Sequence, residues 1–154
     1  MFLLLIFLMK LLQAQLPFNR YPVYKGNDLG VAYTKTSSQF RIWSPPAQSA
    51  QLILYKEGEG GQPFKTINLK KGQSGTWFTS VEGDQKGMFY TFRIRFNNKW
   101  NNEVPDPYAK AAGVNGKRAM VINLKETDPS GWANEKSPAF SLQNKPTDAV
   151  IYEL

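Results

Sequence analysis

Residues 88–96, Met-Phe-Tyr-Thr-Phe-Arg-Ile-Arg-Phe, alternate in character along the chain. Tyr90, Phe92, Ile94 and Phe96 fall on one side, Thr91, Arg93 and Arg95 on the other. That two-residue period is the mark of a half-buried antiparallel strand with an aromatic inner face and a charged outer one. Weaker versions of the same pattern predict strands over 39–44, 50–56, 64–70, 76–81 and 118–124. On 39–44, Phe40 and Ile42 share a face and Trp43 lies on the other. On 76–81, Trp77, Thr79 and Val81 share a face, which places Trp77 in the core. Gly-rich stretches at 57–63, 71–75 and 82–87 read as the turns between these strands. Residues 97–104, Asn-Asn-Lys-Trp-Asn-Asn-Glu-Val, predict a tight turn and a short returning strand. Residues 105–116 read as a loop with one helical turn at 108–112. Strands recurring at this spacing, with no long amphipathic helical period before residue 125, predict an all-β, immunoglobulin-like antiparallel sandwich.

The two ends of the chain break this pattern. Residues 1–14 are almost wholly apolar, yet shorter than the roughly 20 residues a membrane-spanning helix needs. They read as a signal peptide, with small Ala14 before the cleavage point, although no basic residue precedes the apolar run and Lys10 interrupts it. Export to the periplasm or the medium is therefore expected, with no stable membrane anchor. Residues 15–37 form an irregular N-terminal extension. The sandwich is expected over 38–126, and a Pro-rich linker over 127–147. The last stretch, 148–154 (Asp-Ala-Val-Ile-Tyr-Glu-Leu), is apolar on both faces, as in a strand buried inside a parallel sheet. It looks like the opening of another domain, so the chain is expected to be an N-terminal portion of something longer.

Composition narrows the chemistry. The 154 residues contain no cysteine and no histidine. Thiol nucleophiles, disulfides, thiolate or imidazole metal sites and histidine-based triads are excluded. No metal site and no cofactor is expected. The formal net charge is +7. The basic residues are scattered, with only Lys70–Lys71 and Lys117–Arg118 adjacent, which argues for a solvated surface rather than a nucleic-acid partner. Glu103 and Asp106 are close in sequence and follow Trp100, which raises them as a candidate pair for glycosidic acid–base work. Asp106 precedes Pro107, where an aspartate commonly fixes a turn through its own backbone, and no catalytic residue is assigned. Trp100 stands among Asn97, Asn98, Asn101 and Asn102, which argues for exposure. An exposed aromatic ring can stack on the apolar face of a sugar while neighbouring polar groups bind its hydroxyls. Trp100, Lys99, Asn101 and Asn102 are accordingly the candidate carbohydrate-binding residues. The competing reading has Trp100 packed against a neighbouring domain.

Three stretches, 40–55, 87–94 and above all 102–132 with 148–154, resemble the N-terminal region of bacterial type I pullulanases of glycoside hydrolase family 13. The resemblance implies a family-48 carbohydrate-binding module followed by the first strand of a (β/α)8 catalytic barrel. It implies a parent that hydrolyses α-1,6 branch linkages in pullulan, starch or glycogen by a retaining mechanism, with its carboxylates further along the barrel. The partners implied are an α-glucan polysaccharide and that catalytic domain, and Asp106 and Tyr108 fall where module and barrel meet. A second tryptophan, found on an earlier loop of glucan-binding relatives, has no counterpart in 55–64. This chain by itself is expected to be inactive. The alternative is a stand-alone α-glucan-binding module without catalysis.

Overall fold

The structure is a computed structural model and describes residues 17–136. The apolar leader and the 148–154 strand expected from the sequence lie outside the described residues. Nine strands form among the described residues: β1 (Gly30–Tyr33), β2 (Ser37–Trp43), β3 (Ser49–Tyr55), β4 (Lys65–Asn68), β5 (Lys70–Lys71), β6 (Thr76–Glu82), β7 (Phe89–Phe96), β8 (Lys99–Trp100) and β9 (Ala119–Met120). They make two antiparallel sheets. One runs β1-β2-β6-β5. The other runs β4-β3-β7-β8, with β9 also on β7. This is the expected sandwich.

The alternation read from the sequence becomes two facing inner surfaces. Phe40 and Ile42 of β2 and Trp77 and Val81 of β6 meet Ala50, Leu52 and Leu54 of β3 and Tyr90 and Phe92 of β7. Tyr90 packs edge-on against Phe40 at 5.0 Å and against Phe92 at 5.7 Å between ring centroids. Such aromatic pairs contribute about 0.5–1.5 kcal/mol beyond the area they bury. Trp43 takes the opposite face, as expected, and its indole N–H donates to the Ser74 and Pro22 carbonyls.

Four features differ from the sequence reading. First, the sandwich begins before residue 38: β1, inside the expected extension, pairs with β2 from Gly30↔Arg41 to Tyr33↔Ser38. The segment ahead of β1 is held by Asp28, which pairs with Arg41 at 2.8 Å and accepts a hydrogen bond from the Tyr24 hydroxyl. Second, the expected strand over 64–70 divides between the two sheets. Leu69, buried and donating its N–H to the Ala50 carbonyl, is the crossing point from β4 to β5. Third, the expected strand over 118–124 keeps only two ladder residues, because β7, its partner, begins at Phe89. Beyond Met120 only Val121 continues, exchanging bonds with Gly87 and Met88. Fourth, 108–112 forms no helical turn; a short 3-10 turn occurs instead at Val114–Gly116.

The sandwich belongs to a compact unit ending at Leu124, and the described residues 125–136 belong to a second unit. The latter carry a 3-10 turn at Trp132–Asn134, where Trp132 is exposed.

Because Phe40 is fully buried where the two sheets meet, Phe40→Ala should lower the free energy of unfolding by about 3–5 kcal/mol. Urea denaturation reads this as a fall in midpoint; a loss below about 1 kcal/mol would contradict a single continuous core.

Candidate carbohydrate-binding face

The hairpin that carries Trp100 is built by two asparagines. Asn97 and Asn98 both have positive φ, 48° and 60°, between paired Phe96 and Lys99. Left-handed conformation at both central residues is the signature of the tight two-residue turn whose twist suits antiparallel strands, and asparagine tolerates it best after glycine. Gln48 completes the corner, its side-chain oxygen accepting from the Asn98 N–H at 2.8 Å. The turn thus sets the register Arg95↔Trp100. Opposed residues in an antiparallel pair share a face, so Trp100 stands beside Arg95 on the outer face of the sheet, and Lys99 falls on the other side with Phe96.

Trp100 is 39% exposed, and the Arg93 guanidinium lies 5.1 Å from its ring centroid. Arg93 is aimed by its neighbours. Its Nε donates to Gln51 Oε1 at 2.7 Å, and Gln51 Nε2 donates to Asn68 Oδ1 at 2.8 Å. Register explains the contact: Arg93 pairs with Gln51, and Gln51 with Asn68. A row Asn68–Gln51–Arg93–Trp100 therefore crosses β4, β3, β7 and β8. Sequence reasoning missed Gln51, Asn68 and the role of Arg93. Only the outward placement of Arg93 was legible, because the register joining 51 to 68 and 93 is set by long-range pairing.

Asn101 and Asn102 follow Trp100 and are exposed. Asn101 donates its backbone N–H to the Ile94 carbonyl at 2.9 Å, while Val104 pairs with Phe92. Between these contacts the returning chain carries one residue more than β7, a bulge. Both asparagines sit at that bulge, beside the row rather than in it.

Glu103 and Asp106 are both engaged by hydrogen bonds within the module, Glu103 at the surface and Asp106 buried. Glu103 Oε2 accepts from the Tyr55 hydroxyl and from Thr91 Oγ1, each at 2.6 Å. Burial and the Glu103 carboxylate push the Tyr55 phenol up to about 12. The Arg118 guanidinium lies over the Tyr55 ring at 3.4 Å and donates to the Glu57 carbonyl. This arrangement covers the outer face at its Tyr55–Thr91 end, which is why Thr91 is buried although the period turns it outward.

Asp106 is 5% exposed. Its Oδ1 accepts from the Tyr108 N–H at 2.8 Å, the turn expected before Pro107, and its Oδ2 accepts from the Tyr90 hydroxyl at 2.8 Å. Burial raises its pKa above the ordinary carboxylate range, against the opposing pull of these two hydrogen bonds. Gly30 makes room for the contact, since a Cβ there would lie 2.9 Å from Tyr108 Cβ and 3.4 Å from Asp106 Oδ2. Tyr108 itself is exposed. It borders two adjoining apolar grooves: one of about 320 Å³ lined by Phe18, Tyr21, Tyr24 and Trp43, the other of about 330 Å³ opening between the sheets at Ile42, Phe92, Ile94 and Val104. Among the described residues no cluster of acidic side chains could hold a metal ion. No described helix is long and apolar enough to cross a membrane.

The profile of carbohydrate-binding module 48, the isoamylase N-terminal domain, matches residues 28–109. The chain belongs to that family. The match begins ahead of β1, in keeping with a sandwich that starts earlier than the sequence pattern suggests, and it ends just after the Asp106 turn. Among known proteins, the pullulanase of Bacillus subtilis (strain 168) is 37% identical over 84% of this chain and 17% of its own length. Pullulanase 1, chloroplastic, of Arabidopsis thaliana is 27% identical over 82% of this chain and 14% of its own. Among solved structures, the apo pullulanase of Paenibacillus barengoltzii superposes with a TM-score of 0.74 at 44% identity, covering 85% of this chain and 19% of that one. The same enzyme in complex with maltohexaose and α-cyclodextrin gives 0.77 at 43% identity, covering 89% and 20%. The chain thus spans between 14% and 20% of the length of these four pullulanases.

Since Asp106 has a raised pKa in the fold, its contribution to stability is fully present below the unfolded value and is lost as pH rises through the folded value. The stability of the native chain relative to Asp106→Asn should therefore be greatest in acid and fall with rising pH. Urea unfolding at a series of pH values checks this; a difference that grows with pH would contradict it.

Proposed function

We propose that the outer face of the β4-β3-β7-β8 sheet binds α-glucan, with Trp100 as the stacking platform. The observation that carries this reading is the side-chain row: an exposed indole beside a guanidinium that a glutamine and an asparagine hold in place. An apolar ring with a few fixed polar groups is what a sugar's C–H face and hydroxyls require. Asn101 and Asn102, at the bulge, would serve from the rim, within two residues of the ring, whereas Lys99, paired with Phe96, is turned to the other side of the sheet and drops out of the site. Glu103 and Asp106 are each held by two hydrogen bonds within the module, which supports binding rather than catalysis as its work.

In this reading the chain is the accessory module of a pullulanase-type debranching protein that hydrolyses α-1,6-glucosidic bonds, and the catalytic domain of that protein is its other partner. The family membership and the pullulanase relatives support it. Asp106 fixes the turn that presents Tyr108, and Tyr108, with exposed Val104, would pack against that domain. In a full-length protein the Tyr108 side chain should then be less accessible to hydroxyl-radical footprinting than in the module alone; equal labelling would contradict the assignment. The rival reading, a free-standing glucan-binding module, is separated by the coding sequence beyond Leu154, which encodes a barrel in one case only. Residues 1–14 would direct export, and N-terminal sequencing of the mature protein should find them removed.

Trp100→Ala should reduce binding of maltohexaose by at least about tenfold with little change in thermal stability, while Trp100→Phe keeps part of the affinity. Isothermal titration measures both. Unchanged binding by Trp100→Ala would remove the platform from the account. The chain alone should release no reducing sugar from pullulan; measurable hydrolysis that Glu103→Gln abolishes would overturn the non-catalytic reading.

A further inference from the structure

We infer that the Trp100 face favours α-glucans bearing phosphate monoesters over neutral ones. The inference rests on the glucan reading above and goes further, to the charge of the ligand. A neutral glucan chain presents hydroxyls that both donate and accept, and a surface built for it alone would offer both kinds of group. This face is biased toward donors. Each side-chain acceptor along the row already takes one internal bond, Gln51 Oε1 from Arg93 and Asn68 Oδ1 from Gln51, which leaves one lone pair apiece against a larger number of N–H groups. The donors left facing outward are the Asn68 amide, the remaining Gln51 N–H and the terminal nitrogens of Arg93.

Arg95 adds a second cation. It is two residues from Arg93 on β7, therefore on the same face, and it stands directly across from Trp100. Neither guanidinium is ion-paired with a carboxylate among the described residues; the ion pairs formed by Arg41 with Asp28 and by Lys117 with Glu59 lie on other side chains. Glu103, the acid that reaches this face, is engaged by Tyr55 and Thr91. Two guanidiniums without a direct ion pair, flanking an aromatic ring and outnumbering the one carboxylate of this face, which is held at its Tyr55–Thr91 end, suit a group that is doubly negative near neutral pH and has three acceptor oxygens. Guanidinium forks match phosphate geometry, and charge-assisted bonds of this kind are about twice as strong as neutral ones. The glucan ring would stack on Trp100 and its phosphate would lie between Arg93 and Arg95.

The test uses the full chain and one glucan in two states: phosphorylated amylopectin, and the same material after phosphatase treatment. Affinity gel electrophoresis at low and at physiological salt measures both. The phosphorylated form should bind roughly five- to tenfold more tightly, the preference should shrink as salt rises, and Arg95→Gln should bring the two affinities together. Arg95→Lys, which keeps the charge but loses the fork, should retain an intermediate preference and guards against a variant that merely misfolds. Equal binding of the two glucans by the native chain overturns the inference and leaves the glucan reading standing. Failure to bind either overturns both. Displacement of the phosphorylated glucan by an equal concentration of inorganic phosphate would also contradict it, since the site would then be a general anion site.

Discussion

The pairing of β7 with β3 is the constraint on which the rest of this structure depends. Seven residue pairs, from Ser49↔Arg95 to Tyr55↔Phe89, fix which side chains of both strands face inward. A slip of one residue would turn Arg93 and Arg95 into the core and Tyr90 and Phe92 to solvent. Held in register, the strand supplies two surfaces. Tyr90 and Phe92 close the sandwich against Phe40, and Arg93 and Arg95 flank Trp100 outside. The core and the candidate ligand face are thus opposite sides of one strand.

Much of this was legible along the chain because it is local. The period of 88–96, the shared face of Trp77 and Val81, the tight turn before Trp100 and the Asp106 turn each follow from a few consecutive residues. What the sequence hid is non-local. β1 is four residues long and gains its stability from β2 and from the Asp28–Arg41 pair, neither of which a short apolar-polar pattern announces. Leu69 changes sheets without a proline or glycine to mark it. Thr91 has an outward period and a buried side chain because Glu103, twelve residues away, closes over it. The row through Gln51 and Asn68 exists only once three strands are paired.

The same geometry decides between two uses of acidic residues. Glu103 and Asp106 are close in sequence, yet each accepts two hydrogen bonds within the fold, one holding the outer face and the other joining the Tyr90 core to the Tyr108 turn. Removing either acceptor would leave polar groups unpaired, at about 1–3 kcal/mol for each that is buried. Both carboxylates are engaged by the fold, which under the proposed function leaves the outer face to recognition rather than hydrolysis. That division agrees with membership of the carbohydrate-binding module 48 family.

Amide and side-chain NMR during titration with maltohexaose tests the central claim most directly. The account predicts shifts concentrated at the Trp100 indole N–H, Arg93 Nε and the side-chain amides of Gln51 and Asn68, with the resonances of Trp43 and Tyr108 undisturbed. Shifts centred on the Trp43–Tyr108 grooves, with the Trp100 row silent, would contradict it.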